Sequence, residues 1–390
     1  MRDVIVVCGY GLDSCLGGML QSMPRIFGKQ IDVRQDGLVK TWLWGFIFAL
    51  VLAPAASAKP PQQEKESAAP PPWAYGFTTV ADPSTPAGVP GPVVIPGPDD
   101  GKLWSVPGGA QSFTLRQVWD AYGPADWYPG DHPQMPEIVA RGKNPAVRAC
   151  SFCHYANGKG RPENAGIAGL PYEYIVEQIA EFKNGERASA DHRKANTRFM
   201  VDFAQSMTDD ETRAAARYFS SMSYTPWIKV IETATVPKTH VAGGMFIKSE
   251  GDATEPIGQR IIETPVDAEA TERLRDPRSS FLAYVPPGSI KKGEALVMHG
   301  GAGKTTSCTI CHAADLQGMG PVPGLAGRSP SYLARQLFDI QQGYRKGSWT
   351  SLMKPVVANL TNDDVLAIAA YLASRGVPEA GPVGGAKNGK

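Results

Sequence analysis

Two short stretches of the sequence decide its fold: residues Cys150–His154 read CSFCH, and residues Cys308–His312 read CTICH. In each stretch two cysteines, separated by two residues, are followed directly by a histidine. This spacing puts both thiols on one helical turn, within reach of the two vinyl groups of one porphyrin, and the next residue can offer its imidazole to the iron. The pattern C-x-x-C-H therefore predicts two sites of covalent c-type haem attachment.

Paired cysteines also occur in two other kinds of site. A structural zinc site needs two C-x-x-C pairs, or a set of cysteines and histidines, gathered in one place. Here the pairs lie far apart in the sequence and each has its own histidine. A thioredoxin-like C-x-x-C motif needs no histidine directly after it, so that motif does not explain why a histidine follows both pairs here. The sequence therefore disfavours both alternatives.

The composition excludes several classes of protein. The chain has 390 residues, which suggests two or three domains at roughly 150 residues each. Its 39 Lys and Arg residues against 38 Asp and Glu residues give a net charge of +1. That balance argues against a nucleic-acid binder, which needs a basic face. The 42 glycines and 34 prolines predict long loops rather than extended sheets.

Residues Thr41–Ala58 read as a secretory signal peptide. Lys40 precedes an apolar run that ends in the A-x-A cleavage pattern of Ala56–Ala58. The run is too short for a bilayer, which takes about 20 apolar residues; a buried core helix and an uncleaved anchor are the other interpretations. We expect a periplasmic protein that does not span the membrane after cleavage. Haem attachment of this type also takes place outside the bacterial cytoplasm.

The stretch before this signal is unusually long. Met1–Leu38 looks like the product of an upstream translation start. It contains Cys8 and Cys15, for which a functional pair is an alternative interpretation. We expect the mature chain to begin near Lys59, so that residues 1–58 are absent from it.

The chain contains an internal repeat. Aligning the two motifs sets an offset of 158 residues, which also matches Tyr174 with Tyr332, Gln178 with Gln336, and Gly185 with Gly343. Beyond these pairs the offset drops to 153 and matches Met200 with Met353, Thr208 with Thr361, Asp210 with Asp363, and Tyr218 with Tyr371. The first copy thus has five extra residues around 188–196. Two copies with one motif each predict a tandem dihaem protein.

Each copy reads as short helices joined by glycine-rich loops. Ser329 before a proline suits a helix N-cap, and this helix should stop at Gly343; its counterpart should run over about 172–183. The last helix of each copy should begin with a capping box, formed by Thr208 with Glu211 and, in a weaker version, by Thr361 with Asp364. Spacing predicts one buried apolar stripe on the final helix, formed by Val365, Ile368, Ala369 and Leu372.

Residues 136–224 and 289–376 resemble two class I cytochrome c domains, as in tandem dihaem cytochromes. The resemblance covers about half of the mature chain and implies a mainly α fold with two covalently bound haem c groups. In that family a methionine from the loop before the last helix caps the far side of the haem. The resemblance therefore implies that the iron ligands are His154, Met200, His312 and Met353, and that the haem is attached through Cys150, Cys153, Cys308 and Cys311.

The remaining segments are harder to interpret. Residues 59–135 are rich in proline, glycine and tryptophan, and we expect the following residues to pack as a wrap over the first haem domain: Trp73, Trp104, Trp119 and Trp127. An anchor for a partner protein is the alternative. The connector, residues 225–288, contains β-prone pieces and should pack on both haem domains, with a small hairpin. Residues 377–390 should form a flexible tail.

Several other residues compete for a role at the haem. His192 lies in the five-residue insertion and could replace Met200 as the sixth ligand. His299, His132 and Met135 are more typical of surface or packing positions, and His240 receives no role. The run GGAGKTT at 300–306 is an incomplete phosphate-loop pattern without a preceding strand, so we assign it to a loop.

The ligand set favours periplasmic transfer of single electrons. An iron between histidine and methionine has six ligands and no open site for a substrate. We therefore expect no catalytic residues. We expect the partners to be redox proteins, with a dehydrogenase as electron donor and an oxidase or another cytochrome as acceptor. The alternative is a dihaem enzyme of the cytochrome c peroxidase type, hinted at only by His192 and Glu186 near Met200. A gas or redox sensor is a third interpretation.

Overall fold

The structure is a computed structural model that describes residues 69–98 and 100–376. The chain divides into two units, Met1–Glu64 and Lys65–Lys390, and the described residues belong to the second unit. The predicted signal peptide, the stretch before it, the start of the N-terminal segment and the tail 377–390 lie outside the described residues. No helix in the described part is long and apolar enough to cross a membrane.

Helices dominate the described part of the chain. The N-terminal segment contains α1 Pro72–Tyr75 and α2 Leu115–Val118. The first repeat contains α3 Glu137–Ala140, α4 Cys150–His154, α5 Tyr172–Lys183, α6 Ala195–Ser206 and α7 Asp209–Ser220. The second repeat contains α8 Ser289–His299, α9 Thr309–His312, α10 Pro330–Gln341, α11 Thr350–Val357 and α12 Asn362–Ser374.

Helix boundaries follow the capping residues in the sequence. The Thr208 hydroxyl accepts from the Glu211 amide, and the Glu211 carboxylate accepts from the Thr208 amide at 2.7 Å. The Thr361 and Asp364 pair forms the same reciprocal box at α12, and the Ser329 hydroxyl caps α10. The predicted helix starts are thus confirmed, because these side chains satisfy amides that the first helical turn leaves free.

The final helix is buried more completely than its sequence pattern predicts. Every residue from Asp364 to Ala373 is buried, rather than one stripe. Helices α8 and α10 cover two sides of α12, and a connector strand, Ile228–Glu232, covers another. At the crossing with α8, a Cβ on Gly293 would overlap with the carbonyl oxygen of Ala367, so glycine permits the close approach. The prediction of a single stripe was wrong because it left out the other helices of the same repeat and the connector strand, which cover the remaining faces of α12.

The connector forms three small sheets. Its strands are β1 Ile228–Glu232, β2 Thr235–Pro237, β3 Thr239–Ala242, β4 Met245–Lys248, β5 Thr254–Pro256, β6 Ile262–Pro265 and β7 Phe281–Val285. The largest sheet has the order β1-β7-β6, with β1 parallel and β6 antiparallel to β7. Strands β3 and β4 form an antiparallel hairpin, and β2 pairs with β5. The expected partly β connector with a hairpin is confirmed.

The tryptophans of the N-terminal segment do not form one wrap over the first haem domain. Trp73 lies in α1, which packs against α10 of the second repeat. The indole N–H groups of Trp119 and Trp127 donate to the connector carbonyls of Arg273 and Leu274, at 2.9 and 2.8 Å. Of the four predicted residues, Trp119 also contacts the first motif, edge-on to a phenylalanine of α4. The N-terminal segment thus contacts the first repeat, the connector and the second repeat.

Candidate haem sites

The first C-x-x-C-H motif forms the short helix α4, which neighbouring segments hold in place. The Ser151 hydroxyl donates to the Val139 carbonyl at 2.7 Å. The His154 Nδ1 donates to the Ala165 carbonyl at 2.8 Å, because a carbonyl oxygen can only accept. Burial lowers the pKa of His154, which favours the neutral imidazole. A histidine held in this way keeps its Nε2 lone pair free for a metal ion.

The second motif repeats this arrangement. The His312 Nδ1 donates to the Pro323 carbonyl at 2.8 Å, and burial lowers the pKa of His312. In both repeats the accepting carbonyl lies eleven residues after the histidine. The two histidines are thus oriented alike, as metal ligands commonly are, by a hydrogen bond on the ring nitrogen opposite the metal.

A cavity of about 170 Å³ opens beside the first motif. Its lining includes Cys150, Cys153 and His154 of the motif and Met200 of α6. Much of the remaining wall is apolar, contributed by Ile167, Leu170, Ile175, Ile179, Phe182, Phe199, Phe203 and Phe219. Two thiols, an imidazole and a thioether around one largely apolar cavity are the groups that a covalently bound haem with histidine and methionine ligands requires, so these residues fit that group.

Two residues of the second predicted set pack on one apolar core. Cys308 and Met353 are both half-buried and pack against the same apolar cluster, together with Leu325 and Leu337. Cys311 is exposed. Both predicted methionines lie within helices, Met200 in α6 and Met353 in α11, whereas the resemblance placed them in a loop. The expectation of a loop was wrong.

The structure separates the competing histidines from the cavity. His192 is exposed, and its Nε2 donates to the Thr85 carbonyl of the N-terminal segment at 2.8 Å. Among the described residues that line the cavity, His192 does not occur, whereas Met200 does. His132 is hydrogen-bonded to Asp126 and to the Pro133 carbonyl. His299 is exposed at the end of α8.

Two further sequence patterns were interpreted as neither a zinc site nor a phosphate loop. Within the described ranges, no group of three or more His, Cys, Asp or Glu residues is placed to hold a metal ion. The stretch 300–306 is a loop after α8, and Gly300 ends that helix in the left-handed conformation. The Thr305 hydroxyl donates to the Val356 carbonyl at 2.6 Å, which ties this loop to α11.

A network of two arginines and two glutamines joins the two repeats. Arg187 donates to the side-chain oxygens of Gln178 at 2.6 Å and Gln336 at 2.8 Å. Arg345 donates to the same two oxygens, at 2.8 Å for Gln178 and 3.0 Å for Gln336. Each residue is related to its counterpart by the repeat offset, so the network has approximate twofold symmetry. The backbones of Arg187 and Arg345 also form an isolated antiparallel bridge.

Sequence reasoning paired the two glutamines across the repeat but missed the two arginines. Arg187 and Arg345 obey the same offset of 158 residues, so the signal was present in the sequence. The structure adds that Gln178, Arg187 and Gln336 line the first cavity. The first cavity is therefore bounded by both repeats.

Buried charges surround the edge of the cavity that faces the second repeat. Asp339 accepts from the Tyr75 hydroxyl at 2.7 Å and from the Ala190 amide at 2.9 Å, and burial raises its pKa to about 6. Lys194, in the five-residue insertion, also lines the cavity, and burial together with nearby Arg335 lowers its pKa to about 7. The insertion and α1 thus place polar groups around Asp339 of α10 at this edge of the cavity.

Comparison with known protein families matches the two repeats to one family. The family model described as Cytochrome c matches residues 139–223 and 290–376. A curated relative, cytochrome c-554(548) of Halomonas halodenitrificans, is 38% identical over 76 residues, which cover 19% of this chain and 92% of the relative.

A second curated relative matches a longer part of the chain. The thiosulfate dehydrogenase electron acceptor of Stutzerimonas stutzeri (strain A1501) is 26% identical over 244 residues, which cover 62% of this chain and 85% of the relative. Among solved structures, reduced recombinant cytochrome c4 from Pseudomonas stutzeri is 22% identical, covering 58% of this chain and 93% of its own, with a TM-score of 0.38.

Proposed function

The chain belongs to the cytochrome c family and is a dihaem electron-transfer protein, and from this premise we propose that it works in the periplasm between a dehydrogenase and an oxidase or another cytochrome. The observation that carries the proposal is the repeated C-x-x-C-H helix with its oriented, buried histidine. Bound haem supplies a reversible one-electron change at iron. The residues of the chain attach it, hold its orientation and exclude water.

We assign the iron ligands as the sequence predicts them. His154 and Met200 serve the first haem, and His312 and Met353 serve the second. For the first haem, the support is a single cavity that contains the motif and Met200. For the second, it is the packing of Cys308 and Met353 on one apolar cluster. Thioether ligation favours ferrous iron and so raises the reduction potential.

Nothing supports the alternative of a dihaem peroxidase. The relatives described above are named as cytochromes and as an electron acceptor. A peroxidase needs an iron with an open or displaceable site and an acid–base group above it. The histidine that could have served, His192, is hydrogen-bonded to the N-terminal segment and exposed. The proposal is therefore an electron carrier without catalytic residues.

The dehydrogenase is proposed as donor because one relative is named as the electron acceptor of thiosulfate dehydrogenase. For this chain we propose a donor of the same general kind, an oxidoreductase that releases electrons one at a time. The periplasmic location rests on the signal-peptide pattern of Thr41–Ala58 and on the chemistry of haem attachment. Cleavage would leave a mature chain that begins near Lys59 and has no thiols beyond the four of the motifs.

Potentiometric titration of the purified holoprotein tests this function. We expect two reversible one-electron steps, low-spin spectra in both oxidation states and no turnover of hydrogen peroxide. A high-spin haem together with rapid peroxide consumption would instead establish the enzyme. Sequencing the N-terminus of the periplasmic protein tests the location: a start near Lys59 is expected, and a retained Met1 on functional holoprotein contradicts it.

A further inference from the structure

Two short segments, residues 165–167 and 323–325, orient the histidines of the two motifs. The first residue of each segment supplies the carbonyl that accepts from the histidine Nδ1. The second residue is a glycine, Gly166 in one segment and Gly324 in the other. These glycines are counterparts at the repeat offset of 158 residues, so the two segments are equivalent. We call them the histidine-orienting segments.

The side chain of Arg328 is hydrogen-bonded to both segments. Its Nε donates to the Gly324 carbonyl at 2.6 Å, and its Nη1 donates to the Gly166 carbonyl at 2.7 Å. A longer bond of 3.4 Å runs from Nη2 to the Ala168 carbonyl. The counterpart of Arg328 at the repeat offset is Leu170, so a single guanidinium joins two equivalent segments of different repeats.

The peptide group that follows each glycine is held at both of its ends. Its carbonyl accepts from Arg328, and its N–H donates within the same repeat, from Ile167 to Gly158 at 2.7 Å and from Leu325 to Leu316 at 2.8 Å. Because a peptide group is planar, two such bonds fix its orientation. The carbonyl that accepts from the histidine belongs to the preceding residue, so its position depends on this peptide group.

Arg328 also carries a buried positive charge. Its side chain is 5% exposed, and no carboxylate pairs with it among the described residues. Burial lowers the pKa of Arg328, but a guanidinium remains protonated at neutral pH. The guanidinium carbon lies 4.5 Å from the centre of the Tyr224 ring. A charge in such surroundings is weakly screened and acts more strongly on nearby groups than a charge at the surface does.

We propose that Arg328 is a positioning residue shared by the two haems, which holds both histidine-orienting segments and raises both reduction potentials through its buried charge. This inference rests on the proposed electron-transfer function. Iron loses one positive charge on reduction, so a cation beside both histidine-orienting segments favours the ferrous state of both haems. Because Arg328 acts on both haems in the same direction, it sets their potentials relative to the redox partners.

Potentiometric titration of the Arg328→Met holoprotein tests the effect of the charge. We expect the equilibrium constant for reduction of each haem to fall by roughly tenfold, which is 59 mV for a one-electron couple. Arg328→Gln removes the same charge but keeps an amide donor for one carbonyl, so it provides the same test with a smaller structural change. It should lower both potentials by a similar amount.

The matched control is Tyr224→Phe. This change removes another bond between the repeats, from the Tyr224 hydroxyl to the Gly327 carbonyl at 2.7 Å, and leaves the charge of the protein at neutral pH unchanged. Both potentials should therefore stay at the wild-type values. A fall in the control equal to that in Arg328→Met would show that a loosened contact between the repeats lowers the potentials, which overturns the role of the charge.

Hydrogen exchange at the histidine Nδ1 protons tests the positioning role separately. Nuclear magnetic resonance of the reduced, low-spin protein can follow these protons at His154 and His312. Exchange should be faster at both histidines in Arg328→Met than in the wild type, and intermediate in Arg328→Gln. Wild-type exchange rates at both histidines in Arg328→Met would overturn the positioning role.

The titrations also distinguish failure of this inference from failure of the proposed function. Two reversible one-electron steps in which Arg328→Met lowers only one potential, or neither, overturn the shared role while the electron-transfer function stands. A wild-type holoprotein without reversible one-electron steps would instead contradict the proposed function itself.

Discussion

Replacing Arg187 or Arg345 by alanine should destabilise the protein to a similar extent. Each arginine donates two short bonds to the glutamines, at 2.6 and 2.8 Å for Arg187 and at 2.8 and 3.0 Å for Arg345. A hydrogen bond to a charged group contributes about 1.5–3 kcal/mol. Because Gln178 and Gln336 each keep a second donor, no buried acceptor is orphaned, and we expect about 3 kcal/mol for either single variant.

The double variant should cost more than the sum of the two singles. Without both arginines, the oxygens of Gln178 and Gln336 lose both of their donors inside a buried interface. Each unsatisfied buried acceptor costs about 1–3 kcal/mol. A double-mutant cycle should therefore show a coupling of about 2 kcal/mol or more, which residues in one network commonly display.

Urea denaturation of the holoprotein, followed by far-ultraviolet circular dichroism, measures these free energies of unfolding. Arg217→Ala is the control, because this arginine is exposed on α7 and its loss should change stability by less than about 0.5 kcal/mol. Strong destabilisation by one arginine variant with none by the other would refute the symmetric network. Simple additivity in the double variant would refute the shared-acceptor argument.

Three further predictions concern acid stability, helix packing and ligation. Burial opposes ionisation of Asp364, but hydrogen bonds from Lys304 and the α12 cap outweigh it and hold the pKa of Asp364 well below the ordinary 3.8. The stability that the ionised carboxylate contributes is present above the ordinary pKa and is lost as the pH falls through the lower pKa of the folded state. The difference in unfolding free energy between wild type and Asp364→Asn should therefore shrink between pH 5 and about 2 in acid titrations. Gly293→Ala should cost at least about 1–3 kcal/mol in urea denaturation, because its new Cβ overlaps α12; an unchanged midpoint would contradict the close crossing. Met200→Ala should remove half of the near-infrared sulfur-to-iron band, and His192→Ala should leave the spectrum unchanged. A band left intact by Met200→Ala, together with a spectrum altered by His192→Ala, would make the first haem bis-histidine.

The haem motifs and the repeat could be predicted from sequence because their chemistry is local. Attachment needs two thiols and a histidine on one helical turn, and the caps at Thr208, Ser329 and Thr361 act within three residues. These elements appear in the structure where the sequence places them.

The interface and the covering segments could not be predicted in the same way. The bonds between Arg187 and Gln336 join residues in different repeats, and only the docking of the repeats brings them together. The all-round burial of α12 depends on β1, a strand of the connector. Likewise, Trp73 packs with α10 of the second repeat. The two are far apart in the sequence, so no local pattern predicts this contact.

The haem content of the purified chain tests the central claim most directly. The mature holoprotein should be extracted with acid–acetone, and the haem that remains should be counted by pyridine haemochrome absorbance and intact mass. Two haems per chain that resist extraction are predicted, because thioether bonds at both C-x-x-C-H motifs hold them. One haem per chain, or haem that passes into the acetone, would contradict the account.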